Sequence, residues 1–233
     1  MMKTNQLALT AALVLSLGTA ALADTTTTNN FAANQTIPDA DANGLALNGT
    51  ISGLVGQIVN VNVTLDITNG FNGDLYAYLA GPNGGFAVLF NRVGVSNNAS
   101  AFGYGNAGFD ITLSDSSAND VHYYQNFGPS FNAAGQLTGT WQTDGINIDP
   151  MTNTPSAFLT AGQTAMLASM NGLNANGVWT LYLADLSSGG VATVNNWGLV
   201  ITVPEPSPIA LAACGLVLFV IMRRFKAARA RSA

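Results

Sequence analysis

Residues 59–67 read Val-Asn-Val-Asn-Val-Thr-Leu-Asp-Ile. Apolar and polar side chains alternate without a break. A helix would scatter these apolar groups around its axis. An extended chain puts Val59, Val61, Val63, Leu65 and Ile67 on one face, which predicts a half-buried strand.

The same rhythm recurs on either side. Leu75-Tyr76-Ala77-Tyr78-Leu79 alternates, the cluster Gly81-Pro82-Asn83-Gly84-Gly85 turns the chain, and Phe86 to Phe90 reads as another short strand. Ile111-Thr112-Leu113 is a weaker signal. Trp179, Leu181 and Leu183 share one face, as do Trp197, Leu199 and Ile201. Residues 163–170 fit either one short helix or a strand. Many short strands, Gly/Asn turns and no βαβ rhythm predict an all-β, antiparallel β-sandwich. There is no internal repeat.

Charged residues make up only 8% of the 233-residue chain, against about 25% in typical soluble proteins. Between Asp24 and Val203 eleven aspartates face one basic residue, Arg92, for a net charge of −10. Such a surface repels phosphate backbones and excludes nucleic acid as a partner. It suits divalent cations.

The ends differ from the middle. Lys3, the apolar stretch Leu7 to Leu17 and Ala21-Leu22-Ala23 come in the order of a secretory signal, so residues 1–23 are expected to be a signal peptide helix. Residues 24–36 are Thr- and Asn-rich with no apolar period and read as a flexible leader. The domain proper is expected over 37–203. At the far end, Ile209 to Met222 carries no charge and no proline, and Arg223, Arg224, Lys226, Arg229 and Arg231 follow. Counted from Pro204 the run approaches the ~20 residues that span a bilayer. The basic cluster keeps the tail cytoplasmic and the bulk of the chain outside. A single transmembrane helix is therefore expected within 204–233. Cys214 lies in this run, so the middle has no disulfide.

Pro204-Glu205-Pro206-Ser207, the apolar span and Arg223-Arg224 together resemble the PEP-CTERM sorting signal of Gram-negative bacteria. The resemblance implies recognition by exosortase, a membrane transpeptidase, with cleavage near the Pro-Glu-Pro motif. It also implies export through the inner membrane, transient anchoring by the C-terminal helix, and a final place at the cell surface or in the extracellular matrix. Pro204 and Pro206 lack amide hydrogens and resist helix, which leaves that segment extended and accessible.

A second resemblance covers 37–203. Ile67-Thr68-Asn69-Gly70-Phe71-Asn72-Gly73-Asp74-Leu75 followed by Leu79-Ala80-Gly81-Pro82-Asn83-Gly84 is similar to the first half of a proprotein convertase P domain. Gly177-Val178-Trp179-Thr180-Leu181, Asp185 and Asn196-Trp197-Gly198-Leu199 resemble its second half, and Ile37-Pro38-Asp39 its opening. Asn69 stands where the family has His, and 97–106 is a longer Gly/Asn loop. The resemblance implies a jelly-roll β-sandwich of about eight strands.

Chemistry-bearing residues are few. His122 is the sole histidine. With no nucleophile-elbow motif and no second histidine, it reads as a surface or loop residue rather than part of a Ser/His/Asp triad. Zinc is excluded by the same scarcity. Glycoside hydrolysis would need paired carboxylates, and eleven aspartates make chance pairs common. Calcium takes six to eight oxygens from Asp, Asn and backbone carbonyls. Asp74, at a strand start, and Asp110, Asp115 and Asp120, in a loop, are the candidate ligands. P domains can bind calcium, and Asp74 and Asp110 stand where that family has acidic residues. The alternative is a set of solvated turn aspartates capping amides. Trp179 and Trp197 are either core residues, as their alternation suggests, or platforms for stacking sugars.

Two functions remain. One is a non-catalytic, biofilm-associated surface or matrix module sorted by exosortase, in contact with extracellular polysaccharide or matrix proteins. The other is an accessory domain that stabilises a secreted protease or other hydrolase in trans.

Overall fold

The structure, a computed structural model, describes residues 24–205. Among them run nine strands: β1 (Asp24–Thr36), β2 (Asp41–Ile51), β3 (Asn60–Thr68), β4 (Leu75–Ala80), β5 (Phe86–Asn91), β6 (Gly108–Leu113), β7 (Leu137–Trp141), β8 (Gly177–Asp185) and β9 (Thr193–Pro204). Thr26–Val203 forms one compact unit. The expected signal peptide, Pro206, the apolar span, Arg223 and Arg224 lie outside the described residues. No helix among the described residues is long and apolar enough to cross a membrane.

The run at 59–67 becomes β3, with Val61, Val63, Leu65 and Ile67 buried and the polar residues between them half-buried. Val59 falls just outside and is exposed. Leu75, Ala77 and Leu79 of β4 point inward in the same way, as do Trp179, Leu181 and Leu183 of β8. The turn at 81–85 closes through a hydrogen bond from Gly81 N–H to the Gly85 carbonyl (2.8 Å), with Gly84 at φ +94°.

The strands form two sheets in a sandwich-like arrangement. One has the order β1-β9-β3-β6-β7, the other β2-β8-β4-β5. Their inner faces meet in one hydrophobic core around Trp179, Trp197, Phe90, Phe109 and Tyr124. Both tryptophans are buried, which decides for the core reading. The Trp179 indole N–H donates to the Ala175 carbonyl (2.8 Å), so its one polar atom is satisfied. Phe90 stacks on Phe109 with ring centres 4.9 Å apart, tying the two sheets together.

Two expectations need correction. Residues 24–36 are no flexible leader but strand β1, which lies beside β9. Phe31 rests on the Trp197 ring at 4.5 Å, and Gly49 of β2 leaves the room it occupies. Most side chains of β1 stay exposed, so an ordered edge strand carries almost no apolar signal. The sandwich is also not wholly antiparallel. β6 pairs with β7 in parallel, from Phe109 opposite Leu137 to Leu113 opposite Trp141. A parallel pair needs a long crossover, and residues 114–136, with a 3-10 segment at Val121–Phe127, supply it. Within 163–170, where the sequence fits either a short helix or a strand, the chain makes a short 3-10 helix at Leu167–Met170.

A bulge in β9 sets the outward face. Asp66 opposes Asn196 while Ile67 opposes Val194, leaving Asn195 as the extra residue. Val194 and Trp197 can then both face the core although three positions apart.

Candidate functional site

Three polar places stand out. The first is wholly internal. Asp120 opens the 3-10 segment, its Oδ1 accepting the His122 N–H at 2.8 Å. His122 and Asp144 are fully buried. His122 Nδ1 meets Asp144 Oδ2 at 2.9 Å, and Nε2 lies 2.9 Å from the Val95 carbonyl. Asp144 Oδ2 also accepts the Asn91 N–H (2.9 Å), and Oδ1 accepts the Ile146 N–H (3.2 Å). Burial alone would pull the imidazole pKa down. The Asp144 charge and hydrogen bond and the Val95 carbonyl outweigh it, and the net shift is upward. A carbonyl can only accept, so Nε2 carries a proton. His122 is thus no surface or loop histidine. With both nitrogens engaged and no solvent access it cannot serve as a general base. It is a fastener between the 3-10 segment, the end of β5 and the 143–146 loop. Asp120 is pushed up to about 6 by burial and by the Asp144 charge.

The second place is the outer face of the five-stranded sheet. A cavity of about 300 Å³ lies over Thr64, Asp66, Asp110, Thr112, Thr140 and Asn196. Asp66 and Asp110 sit directly opposite each other in register. Asp66 is held by Gln136 Nε2 (2.8 Å), Asn195 Nδ2 (3.0 Å) and Asn196 Nδ2 (3.0 Å).

The third place is at the start of β4. Asn69 (φ 63°) and Gly70 (φ 68°) make a left-handed turn after β3, a conformation that an Asn-Gly pair tolerates. The one-turn 3-10 helix Asn72–Asp74 follows. Asn72 is buried and bonds Gly108 in both directions: its Oδ1 accepts the N–H (2.7 Å) and its Nδ2 donates to the carbonyl (3.1 Å). This delivers Asp74 to a cavity of about 280 Å³ lined by Phe71, Phe102, Tyr104, Ser187, Ser188 and the backbone of Gly103 and Gly105. Burial pushes the Asp74 carboxyl up, with the Ser187 hydroxyl and the Arg92 guanidinium pulling the other way. Behind it Asp185 is 1% exposed and pushed up to about 6 by burial, with the Asp74 and Asp39 charges adding to the rise. Asp185 Oδ1 accepts the Ser187 N–H at 3.3 Å, while its buried Oδ2 has no hydrogen-bond partner.

The four candidate calcium ligands do not gather. Asp74 belongs to the β4 cavity and Asp110 to the outer face of the other sheet. Asp115 Oδ2 accepts the Ala168 N–H at 2.7 Å. Asp120 is spent on the His122 N–H and on Gln163 Nε2 (3.2 Å). Among the described residues no group of three or more acidic, histidine or cysteine side chains is placed to hold a metal ion. The four residues therefore do not fit a shared calcium ion. Sequence reasoning missed Asp144, Phe102 and Ser187, and it read Asp185 as a motif residue with no site role.

Of the Pro-Glu-Pro run, Pro204 ends β9 and Glu205 follows it, its Oε1 accepting the Thr25 hydroxyl at 3.5 Å.

No family model matches the sequence, and no curated protein matches it. Among solved structures, the complex of the Aeromonas sobria serine protease with its chaperone shares 13% identity at a TM-score of 0.42, over 84% of this chain and 30% of the other. The serine protease of Aeromonas sobria alone shares 13% identity at a TM-score of 0.43, over 83% of this chain and 30% of that one. The chain thus spans less than a third of the length of these structures.

Proposed function

We propose that this chain is a non-catalytic, exported β-sandwich module of the cell surface or extracellular matrix, sorted and cleaved by exosortase. The observation that carries the reading is the ordered combination of Pro204-Glu205-Pro206, an uncharged span and Arg223-Arg224 behind a secretory N-terminus. The engagement of both His122 nitrogens supports it, since the sole histidine is withdrawn from chemistry. Within this reading the sandwich is a P-domain-like jelly roll. The order β1-β9-β3-β6 against β2-β8-β4-β5 supports that assignment, because two interleaved four-stranded sheets are the jelly-roll arrangement, with β7 an addition at one edge.

Mass spectrometry of surface material tests the processing. The expected mature protein lacks the tail, and intact peptides from Arg223 onward as the dominant species would overturn the reading. A pull-down from extracellular matrix tests the role. Polysaccharide or matrix proteins are the expected catch. A single secreted hydrolase would move the function to that of an accessory domain acting in trans.

A further inference from the structure

The cavity at the start of β4 has the composition of a ligand site. Ligand pockets combine apolar walls with a few convergent polar groups. Here Phe102 is 77% exposed and Phe71 41%, and between them stand one carboxylate, Asp74, and two hydroxyls, Ser187 and Ser188. The wall is fixed in place. Gly73 N–H donates to the Tyr104 carbonyl (2.8 Å), Tyr104 N–H to the Val93 carbonyl (2.9 Å), and Asn72 N–H to the Asn106 carbonyl (2.9 Å). A side chain at Gly73 would collide with the Phe102 carbonyl. The cavity is therefore formed before any ligand arrives.

Its charge is unbalanced. The Asp39 charge acts on Asp74, the Asp74 and Asp39 charges act on Asp185, and Arg92 is the one cation among the described residues that acts on Asp74. Asp185 Oδ2 is buried beside them with nothing donated to it. Buried carboxylate oxygens without a donor are costly and rare, so this end of the sandwich favours an arriving positive charge.

We propose that this cavity is a subsite for an amino-sugar residue of an extracellular polysaccharide, a pyranose bearing a free ammonium group. The proposal rests on the matrix reading above. The ring's apolar face lies on Phe102 and Phe71, the ammonium faces Asp74, and hydroxyls meet Ser187 and Ser188. A metal ion would need six to eight oxygens, and phenyl rings supply none. A lysine side chain could reach Asp74 but has no hydroxyls for the two serines.

The test uses the full-length chain in detergent micelles and isothermal titration with glucosamine hexamer, its fully N-acetylated counterpart, cellohexaose, hexalysine and calcium chloride. The expected result is binding of the glucosamine hexamer, at least about tenfold tighter than the acetylated or neutral hexamers. Phe102→Ala, at an exposed side chain, should weaken it about tenfold with the melting temperature expected to stay unchanged. Asp74→Asn should weaken it further. Equal binding of cellohexaose, tighter binding of hexalysine or calcium, affinity untouched by Phe102→Ala, or no binding at all would each overturn the proposal. Retention in the matrix without hexamer binding would remove this subsite and leave the matrix reading standing. Hexamer binding by a protein never found in the matrix would do the reverse.

Discussion

At His122 and Asp144, two fully buried groups 2.9 Å apart hold three chain segments together. Removing one partner of a buried ion pair strands the other, at a cost of about 3–5 kcal/mol. His122→Ala should therefore lower unfolding free energy by about that amount in urea titration; a change under ~1 kcal/mol would return the histidine to an ordinary loop role. The titrating residues also set a pH trend. Asp120 and Asp185, each raised to about 6, bind protons in the folded chain that the unfolded chain has released. Raised groups stabilise below their unfolded pKa and lose that contribution as pH rises through the folded value. His122, raised above 6.5, acts in the same direction at higher pH. Asp149, lowered by the Met151 N–H, works oppositely, but only below about 3.8. The melting temperature should thus fall as pH rises from about 4 to past 6.5. Asp185→Asn replaces the repelled carboxylate with a neutral amide. It should raise the melting temperature at pH 7.5 by a few degrees, about 2–4 °C per kcal/mol for a domain of this size. A melting temperature that climbs from pH 4 to 7 in the parent protein would refute the sign.

At the scale of elements, β1 is held by its pairing with β9, by Phe31 and Ala33 against the core, and by the room left at Gly49 and Gly198. Gly49→Leu would drive a side chain into the Phe31 ring. It should free the amides of residues 26–36 to exchange in hydrogen–deuterium mass spectrometry while β3 and β8 stay protected. Uniform protection would mean that β1 is held by its backbone alone. β1 also shows where sequence reasoning runs out. β3, β4 and β8 were legible because one face of each is fully buried and the other is not. β1 lies at a sheet edge, where the inward positions 27, 29, 31 and 33 are only half-buried and two of them are Thr and Asn, and β7 hides its two anchors, Leu137 and Trp141, at the ends of Leu-Thr-Gly-Thr-Trp. The site was less legible than the fold. Asp74 could be picked from its place after a Gly turn, but its neighbours Asp185, Ser187 and Phe102 come from distant segments joined by folding alone.

For the whole molecule, charge is the dominant long-range term. A net −10 over Asp24 to Val203, with one cation, repels itself in the compact state. Salt should raise the melting temperature by screening, since the Debye length falls to about 8 Å at 0.15 M. The four aspartates first suspected as calcium ligands lie apart, so millimolar calcium should do no more than magnesium or sodium chloride of equal ionic strength. A calcium-specific rise abolished by Asp74→Asn would show that a site exists after all.

The position of β9 has a consequence for timing. It is the last strand among the described residues, yet it sits inside its sheet, between β1 and β3. A chain delivered N-terminus first, from a ribosome or through a pore, holds an open slot there until residues 193–204 arrive. β1 has no place to dock before that moment. Such long-range closure is slow, so the five-stranded sheet stays unfinished for as long as the end of the chain is withheld. The same geometry acts as a ruler for any cutting enzyme. A cut beyond Pro204 leaves the finished sheet whole, and a cut a few residues earlier shortens the strand that closes it.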